Sequence, residues 1–197
     1  MKAMILCGGL GMRTKEKYPG TPKALVPYKD KPMLEYHLKA LRRFDVVLNV
    51  RADEAKHFEK YKLPTLVETS AIGNAGAIRR FIDELGYRFL VIHNDVYHDI
   101  DYVALTTVCQ GTMIMAAKDI ARDKEFGIVT KGKDNHVTGF TRRRFVNCGV
   151  YCMYQNVKKY IEYGKFQDID RDLVPRLIEA NELYYYEHKG KWKDIGV

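Results

Sequence analysis

Residues 8–23 combine glycine with positive charge directly after an apolar run. One acidic residue, Glu16, stands among four basic ones, and 4 − 1 gives a local charge of +3. The basic residues are Arg13, Lys15, Lys17 and Lys23. Because glycine has no Cβ, the backbone N–H groups of Gly8, Gly9 and Gly11 can approach an anion closely. The composition predicts a phosphate-binding loop, although a solvated surface loop can have the same composition. Neither G-x-x-x-x-G-K-[ST] nor G-x-G-x-x-G fits it.

A carboxylate follows a second apolar run, residues 88–93. Asp95 stands two residues beyond this run, which has the composition of a buried strand. The carboxyl edge of a parallel sheet is where open α/β proteins bind their ligands. Asp95 is therefore a candidate ligand-binding residue. The alternative is a turn or helix-capping role, which we expect for the nearby Asp99 and Asp101.

Apolar periodicity predicts the elements that would position these groups. Continuous apolar runs at residues 2–7, 45–50, 88–93 and 112–117 are typical of strands buried on both faces. Helical spacing between them predicts helices starting at Pro32 and spanning 75–85. This order predicts an α/β fold of the Rossmann-like, three-layer α/β/α kind, with a mostly parallel central sheet.

The length and composition indicate one globular domain. The chain has 197 residues, a net charge of +8, 46% hydrophobic and 29% charged residues, which argues against disorder, collagen and coiled coils. No apolar stretch approaches the roughly 18 residues of a membrane span. The four cysteines lack zinc-site spacing. We therefore expect a cytoplasmic protein that is not bound to a membrane. The charge alone suggests a nucleic-acid partner, but no nucleic-acid-binding motif is recognised.

The glycine-rich segment has the order G-G-x-G-x-R, a gap, and then P-K. This order resembles the signature of the sugar-phosphate nucleotidyltransferases, the enzymes that make nucleotide sugars. The residues that carry it are Gly8, Gly9, Gly11, Arg13, Pro22 and Lys23. The resemblance implies that the end of the first strand and the glycines hold the nucleotide, from Leu6 onward. It also implies that Arg13 grips the triphosphate and that Lys23 supports the reacting phosphate.

Three further segments resemble motifs of the same family. His93-Asn94-Asp95-Val96 is similar to its strand–G–D motif, with asparagine replacing glycine, and this implies that Asp95 binds Mg²⁺. The segment 72–78, I-G-N-A-G-A-I, is similar to L-G-T-A-G-A-L and implies a nucleobase contact at Gly76. The final W-x-D-x-G pattern implies that Asp194 is a second Mg²⁺ ligand.

The second half of the chain resembles the family's sugar site less fully. Two of its segments, 126–129 and 146–151, imply that Gly127, Asn147 and Gly149 face the sugar. The family's E-K-P motif between them is replaced by three arginines. Arg143 falls where the phosphate-gripping lysine is expected, and its bidentate fork suits a phosphate. The resemblance thus divides one domain, 1–197, into a nucleotide-binding half, 1–118, and a sugar-phosphate-binding half, 119–197.

The activity implied by this resemblance is Mg²⁺-dependent transfer of a nucleoside monophosphate. An NTP and a sugar 1-phosphate would give an NDP-sugar and pyrophosphate, with Arg13, Lys23 and Asp95 as the catalytic residues. Two alternatives remain at this point. One is a catalytically idle, nucleotide-binding regulatory subunit of the same fold, and the other is a nucleotidyltransferase that acts on a non-sugar phosphate.

Overall fold

A computed structural model of the chain describes residues 1–9, 16–119, 128–141 and 145–195. Four of the predicted site residues lie outside these described residues. They are Gly11, Arg13, Gly127 and Arg143.

The described part contains short strands and helices in alternation. The strands are β1 (Lys2–Leu6), β2 (Pro27–Tyr28), β3 (Lys31–Pro32), β4 (Asp45–Arg51), β5 (Thr65–Glu68), β6 (Arg88–His93), β7 (Val96–His98), β8 (Met113–Asp119), β9 (Ile128–Lys131), β10 (Val137–Thr141), β11 (Phe145–Tyr154), β12 (Leu183–Glu187) and β13 (Trp192–Asp194). The α-helices are α1 (Met33–Ala40), α2 (Gly73–Arg80), α3 (Ile82–Leu85), α4 (Tyr102–Thr107) and α5 (Val174–Glu179). No helix in the described ranges has the length and apolarity that a membrane crossing requires.

The central sheet confirms the predicted fold class. Within the described residues it has nine strands, running from β10 through β9, β11, β6, β1 and β4 to β5, with β8 joined to β11 and β12 to β8. The strands β6, β1, β4 and β5 are parallel to one another, and β12 is parallel to β8. The second half adds antiparallel pairings of β11 with β6, β8 and β9. The sheet changes from parallel to antiparallel between β6 and β11.

Helices cover both faces of this sheet, so β1 is buried on both sides. Met4 and Leu6 pack into one core together with α2, α3 and α5. Ile5 and Cys7 pack into the opposite core with α1 and α4. Burial on both faces explains why the strand is a continuous apolar run instead of an alternating one. The arrangement is the predicted three-layer α/β/α fold.

The strands predicted from apolar runs agree with the structure to within two residues at each end. The run 88–93 is β6 with the predicted bounds, and the run 45–50 is β4, which ends one residue later. The helix predicted over 75–85 is two helices, because the backbone leaves helical geometry at Phe81 (φ −106°, ψ 19°). The first helix begins at Met33, since Pro32 pairs in the β2–β3 hairpin. Helix α4 was not predicted, but its N-cap was: the Asp101 carboxylate accepts hydrogen bonds from the N–H groups of Val103 and Ala104.

Helix α2 starts at a glycine that no other residue can replace without strain. Gly73 has φ +74°, and a Cβ there would lie 2.2 Å from the carbonyl oxygen of Gln167. The same turn is held by Asn74, whose Oδ1 accepts a hydrogen bond of 2.6 Å from the N–H of Ile169. The start of α2 is therefore fixed against the segment that precedes α5.

Replacing Gly73 with alanine tests this close packing. We expect Gly73→Ala to lower the free energy of unfolding by at least about 2 kcal/mol, because backbone strain and steric overlap add. Gly20→Ala is the matched control: Gly20 has φ +73° but open space around its α-carbon, so strain alone should cost about 1 kcal/mol. Denaturant unfolding measures both. Equal losses in the two variants would contradict the packing argument.

Two neighbouring histidines, one buried and one half-buried, lie in α1 and β7. His37 in α1 is 3% exposed and its ring centroid lies 5.6 Å from that of His98 in β7. Burial lowers the pKa of His37 to about 4 and that of His98 to about 3. The His37 Nε2 atom has no hydrogen-bond partner among the described residues. His37 is thus a structural histidine of the core.

These histidines make the stability depend on pH. An unfolded histidine takes up a proton near pH 6.5, whereas folded His37 stays neutral down to about pH 4. The unfolded state therefore binds more protons in this range, and stability falls as the pH falls from 6.5 to 4. We expect His37→Leu to reduce that fall by about 2–3 kcal/mol, measured by urea unfolding at several pH values. Parallel pH curves for the two proteins would show that His37 contributes nothing.

Candidate functional site

A cavity of about 270 Å³ opens at the carboxyl ends of the parallel strands. Five of the predicted site residues line it, and these are Leu6, Gly8, Gly9, Lys23 and Asp95. They come from three separate chain segments. The structure thus brings Gly8 and Gly9, Lys23 and Asp95, which the sequence analysis selected, to one cavity.

Lys23 and Asp95 form an ion pair at this cavity. Lys23 begins a 3-10 turn after Pro22, and Asp95 follows β6, so the contact joins residues 72 positions apart. Both side chains are mostly buried, with 22% and 25% exposure. Burial opposes ionisation of Asp95, but His93 and Lys23 outweigh it and the pKa of Asp95 is lowered. The site therefore holds a charged carboxylate beside a lysine.

Asn94 fixes the backbone that carries Asp95. Its side chain is 5% exposed, and its Nδ2 donates a hydrogen bond of 2.5 Å to the carbonyl oxygen of Leu6. This bond ties the end of β6 to the end of β1. Asparagine at this position of the strand–G–D motif therefore links the segment that carries Asp95 to the end of β1, which Gly8 and Gly9 follow.

Asn147 and Gly149, the two predicted sugar-site residues of the second half that the structure describes, lie on β11, on the side of β6 opposite β1. The Asn147 Nδ2 donates to Asp170 Oδ1 at 2.7 Å and to the Tyr151 hydroxyl at 2.6 Å, while its Oδ1 accepts from the N–H of Gly149 at 2.9 Å. Gly149 has φ +71°, and a Cβ there would lie 3.0 Å from the Cβ of His93. Gly149 therefore packs against His93, which lines the cavity, and Asn147 is hydrogen-bonded to Gly149.

Asp170 was not selected from the sequence. It lies in a π-helical turn, Ile169–Leu173, whose N-cap is Asp168. Burial is the largest effect on Asp170, and with the neighbouring Asp168 it raises the pKa of this carboxyl. The spacing of aspartates at 168, 170 and 172 was the available signal, but it is also common in helix caps.

Gly76 lies away from this cavity. It lines a smaller one of about 120 Å³, together with Arg80 and Tyr163. A Cβ on Gly76 would lie 3.0 Å from the carbonyl oxygen of Lys165, so close packing explains the glycine. The first two residues of α2, Gly73 and Asn74, line the larger cavity instead.

Asp194 lies on a strand next to Asp95. The β13 strand pairs antiparallel with β7, with Asp194 opposite Val96, and the N–H of Ile195 donates to the carbonyl oxygen of Asp95 at 2.9 Å. Both predicted metal ligands thus stand on adjoining segments. Among the described residues, no group of three or more His, Cys, Asp or Glu side chains has the arrangement of a complete metal site.

Two further polar residues of the cavity, Asn49 and Glu68, were missed. They lie at or near the ends of β4 and β5, as Asp95 lies beyond β6. Glu68 is 6% exposed, and burial raises its pKa although Asn49 hydrogen-bonds its carboxylate. The rule that selected Asp95, a polar residue ending a buried strand, would also have found Glu68.

Comparison with known proteins supplies relatives for this arrangement. A probable mannose-1-phosphate guanylyltransferase of Arabidopsis thaliana is 25% identical over the whole of this chain and 62% of its own length. HddC from Yersinia pseudotuberculosis has a TM-score of 0.83 at 21% identity, over 100% of this chain and 94% of that one. A putative glucose-1-phosphate thymidylyltransferase from Bacillus anthracis has a TM-score of 0.81 at 23% identity, over 100% and 90%.

The chain spans about three fifths of the length of the curated relatives it matches. The two solved structures share its fold across nearly their whole chains. The profile of the nucleotidyl transferase family matches residues 2–197, which is almost every residue. With the glycine loop, Lys23 and Asp95 at one strand edge, this match shows that the chain belongs to the nucleotidyl transferase family.

Proposed function

We propose that this protein transfers a nucleoside monophosphate from an NTP to a sugar 1-phosphate, giving an NDP-sugar and pyrophosphate. The observation that carries the proposal is the Lys23–Asp95 ion pair at the rim of a cavity that Gly8 and Gly9 also line. The matched relatives include mannose-1-phosphate guanylyltransferases and a putative glucose-1-phosphate thymidylyltransferase, which supports this reaction class.

The reaction brings two polyanions together, so charge repulsion is the first obstacle. Lys23 donates hydrogen bonds and positive charge at the cavity, and the described backbone of Gly8 and Gly9 lies at the same edge. An oxygen of the acceptor phosphate attacks the α-phosphorus of the NTP, and the bond from that phosphorus to the pyrophosphate oxygen breaks in line. Because the leaving pyrophosphate carries the electron pair, positioning and electrostatics suffice for catalysis.

A divalent cation fits the donor set at the strand edge. Mg²⁺ is usually held by one or two carboxylates together with substrate phosphates and water. Asp95, charged and at the cavity, and Asp194, on the adjoining strand, are the residues that would hold it. When bound, Mg²⁺ neutralises phosphate charge, while Lys23 and the loop backbone orient the triphosphate.

The two halves of the chain would then divide the substrates. We assign the nucleotide to residues 1–118, with Gly11 and Arg13 extending the phosphate contacts of Gly8 and Gly9. The acceptor is assigned to residues 119–197, through Gly127, Arg143, Asn147 and Gly149. The four free cysteines support a reducing compartment, the cytoplasm.

A screen of pyrophosphate release tests this function. We expect turnover when the common NTPs are crossed with a set of sugar 1-phosphates in the presence of Mg²⁺. Nucleotide binding without pyrophosphate release across the whole set would favour a regulatory subunit. If pyrophosphate is released only with non-sugar phosphates, the acceptor substrate is a phosphate of another class.

Replacing Asp95 tests the strand-edge carboxylate. We expect Asp95→Asn to lower kcat/KM at least about 100-fold, as for loss of a group that stabilises transition-state charge. Asp83→Asn, at an exposed position of α3, is the matched control and should behave as wild type. Steady-state kinetics at several Mg²⁺ concentrations gives the comparison, and thermal unfolding verifies that both variants fold. Full turnover by Asp95→Asn would remove this residue from the mechanism.

A further inference from the structure

Two of the four cysteines lie with their thiols in hydrogen-bond contact. Cys109 lies in the loop between α4 and β8, and Cys152 lies on β11, in the middle of the sheet. Cys152 is 0% exposed, whereas Cys109 is half-buried and packs against the same core. The contact thus joins a cysteine that solvent reaches to one inside the core.

Hydrogen bonds hold the loop that carries Cys109 against β11. The hydroxyl of Tyr154, which ends the strand that contains Cys152, donates to the carbonyl oxygen of Cys109 at 3.2 Å. The N–H of Tyr154 donates to the carbonyl oxygen of Thr112 at 3.1 Å. On the other side of the cysteine, the N–H of Cys109 donates to the carbonyl oxygen of Thr106 in α4 at 3.4 Å. The fold itself therefore brings the two thiols together.

The surroundings of the pair make its two sulfurs unequal. Arg88, the first residue of β6, reaches the loop and donates from Nη1 to the carbonyl oxygen of Thr106 at 3.3 Å. The hydrogen bond from the Cys152 thiol, together with the Arg88 charge, outweighs burial and lowers the pKa of Cys109. The same hydrogen bond and burial raise the pKa of Cys152. Cys109 therefore forms the thiolate, and Cys152 keeps its proton.

The other two cysteines are buried and protonated. Cys7 is 1% exposed and Cys148 is 0% exposed. Burial raises the pKa of the Cys148 thiol to about 12, and burial also raises the pKa of Cys7. Since the thiolate is the reactive form of cysteine, both are unreactive in the folded chain. Cys109 is thus the cysteine that a soluble oxidant attacks first.

We propose that Cys109 is a thiol oxidised by peroxide and that Cys152 then forms a reversible disulfide with it inside the folded chain. The contact between a half-buried thiol beside Arg88 and a second thiol carries this inference. Reactive cysteines lie in electropositive, partly exposed surroundings, and oxidation-sensitive ones often have a resolving cysteine beside them. In a reducing compartment such a disulfide is transient, because thiol reductants reopen it. The inference does not depend on the nucleotidyl transfer proposed above.

The oxidation has two steps and consumes one molecule of hydrogen peroxide. The Cys109 thiolate attacks one peroxide oxygen, so that an S–O bond forms and the O–O bond breaks. Hydroxide leaves and takes up the proton that the Cys109 thiol released. The Cys152 sulfur then attacks the resulting sulfenic acid, the S–S bond forms, the S–O bond breaks, and water leaves with the proton of Cys152. Two thiols are thus oxidised to one disulfide while peroxide is reduced to two waters.

Peroxide treatment of the reduced, folded protein tests the pair directly. We expect the thiols counted after quenching and denaturation to fall from four to two, since one pair closes. Peptide mass mapping should find Cys109 joined to Cys152, and dithiothreitol should restore all four thiols. In denaturing urea the contact and the Arg88 charge are lost, so the disulfide should form at least about tenfold more slowly. Linkage of any other pair, a disulfide between two chains, or an equal rate in urea would overturn the proposal.

Removing the second thiol should trap the intermediate. We expect Cys152→Ser to leave Cys109 as a sulfenic acid, which the reagent dimedone should label at least about tenfold more than in the wild-type protein. Cys148→Ala, at another buried cysteine of β11, is the matched control and should form the wild-type disulfide. Thermal unfolding verifies that both variants fold. Equal labelling of the wild type and Cys152→Ser would contradict the resolving role of Cys152.

A third variant decides the question if Cys152→Ser does not fold. Cys109→Ser changes a half-buried position, and the three thiols that remain of the four should all survive the peroxide treatment that closes the wild-type disulfide. Loss of these thiols at the wild-type rate would show that another cysteine is attacked first, and would overturn the assignment of Cys109. Irreversible oxidation of Cys109 in the wild-type protein, with no disulfide formed, would remove the role of Cys152.

Discussion

The site depends on one electrostatic contact, the ion pair between Lys23 and Asp95 across the end of β6. His93 and Lys23 together outweigh the burial of Asp95 and lower the pKa of this carboxyl. The cavity therefore holds a charged carboxylate beside a lysine. In the proposed reaction the lysine would attract the triphosphate and the carboxylate would hold a divalent cation.

The parallel direction of four strands explains why Lys23 and Asp95 lie close to other polar side chains. The strands β6, β1, β4 and β5 run in the same direction, so the residues that end them all reach one edge of the sheet. Apolar residues fill both faces of β1 and β6 up to that edge, since helices cover both faces. Polar side chains are tolerated where the strands stop, and the cavity forms there. The Asn94 bond to Leu6 holds two of these ends in register.

The second half of the chain joins the sheet where the strand direction changes, between β6 and β11. Strand β11 runs antiparallel to β6 and brings Gly149 against His93, which lines the cavity. The left-handed conformation of Gly149 accompanies the shift in register between Asn147 and Tyr151. Asp170 joins this cluster from a separate turn through its hydrogen bond with Asn147. Residues from both halves of the chain, Lys23 and Asp168 among them, thus line the same cavity.

Local sequence determined the elements and many of the cavity residues. Continuous apolar runs specified β1 and β6, because the residues of both strands are buried on both faces of the sheet. Glycine and charge spacing selected Gly8, Gly9, Lys23 and Asp95, which the structure brings together. The tertiary structure decided what depends on packing between distant segments. It placed Gly76 against the Lys165 backbone, away from the cavity, and added Glu68, Asn49 and Asp170. The properties of these residues depend on their burial and on partners far along the chain. The spacing of residues in the sequence shows neither.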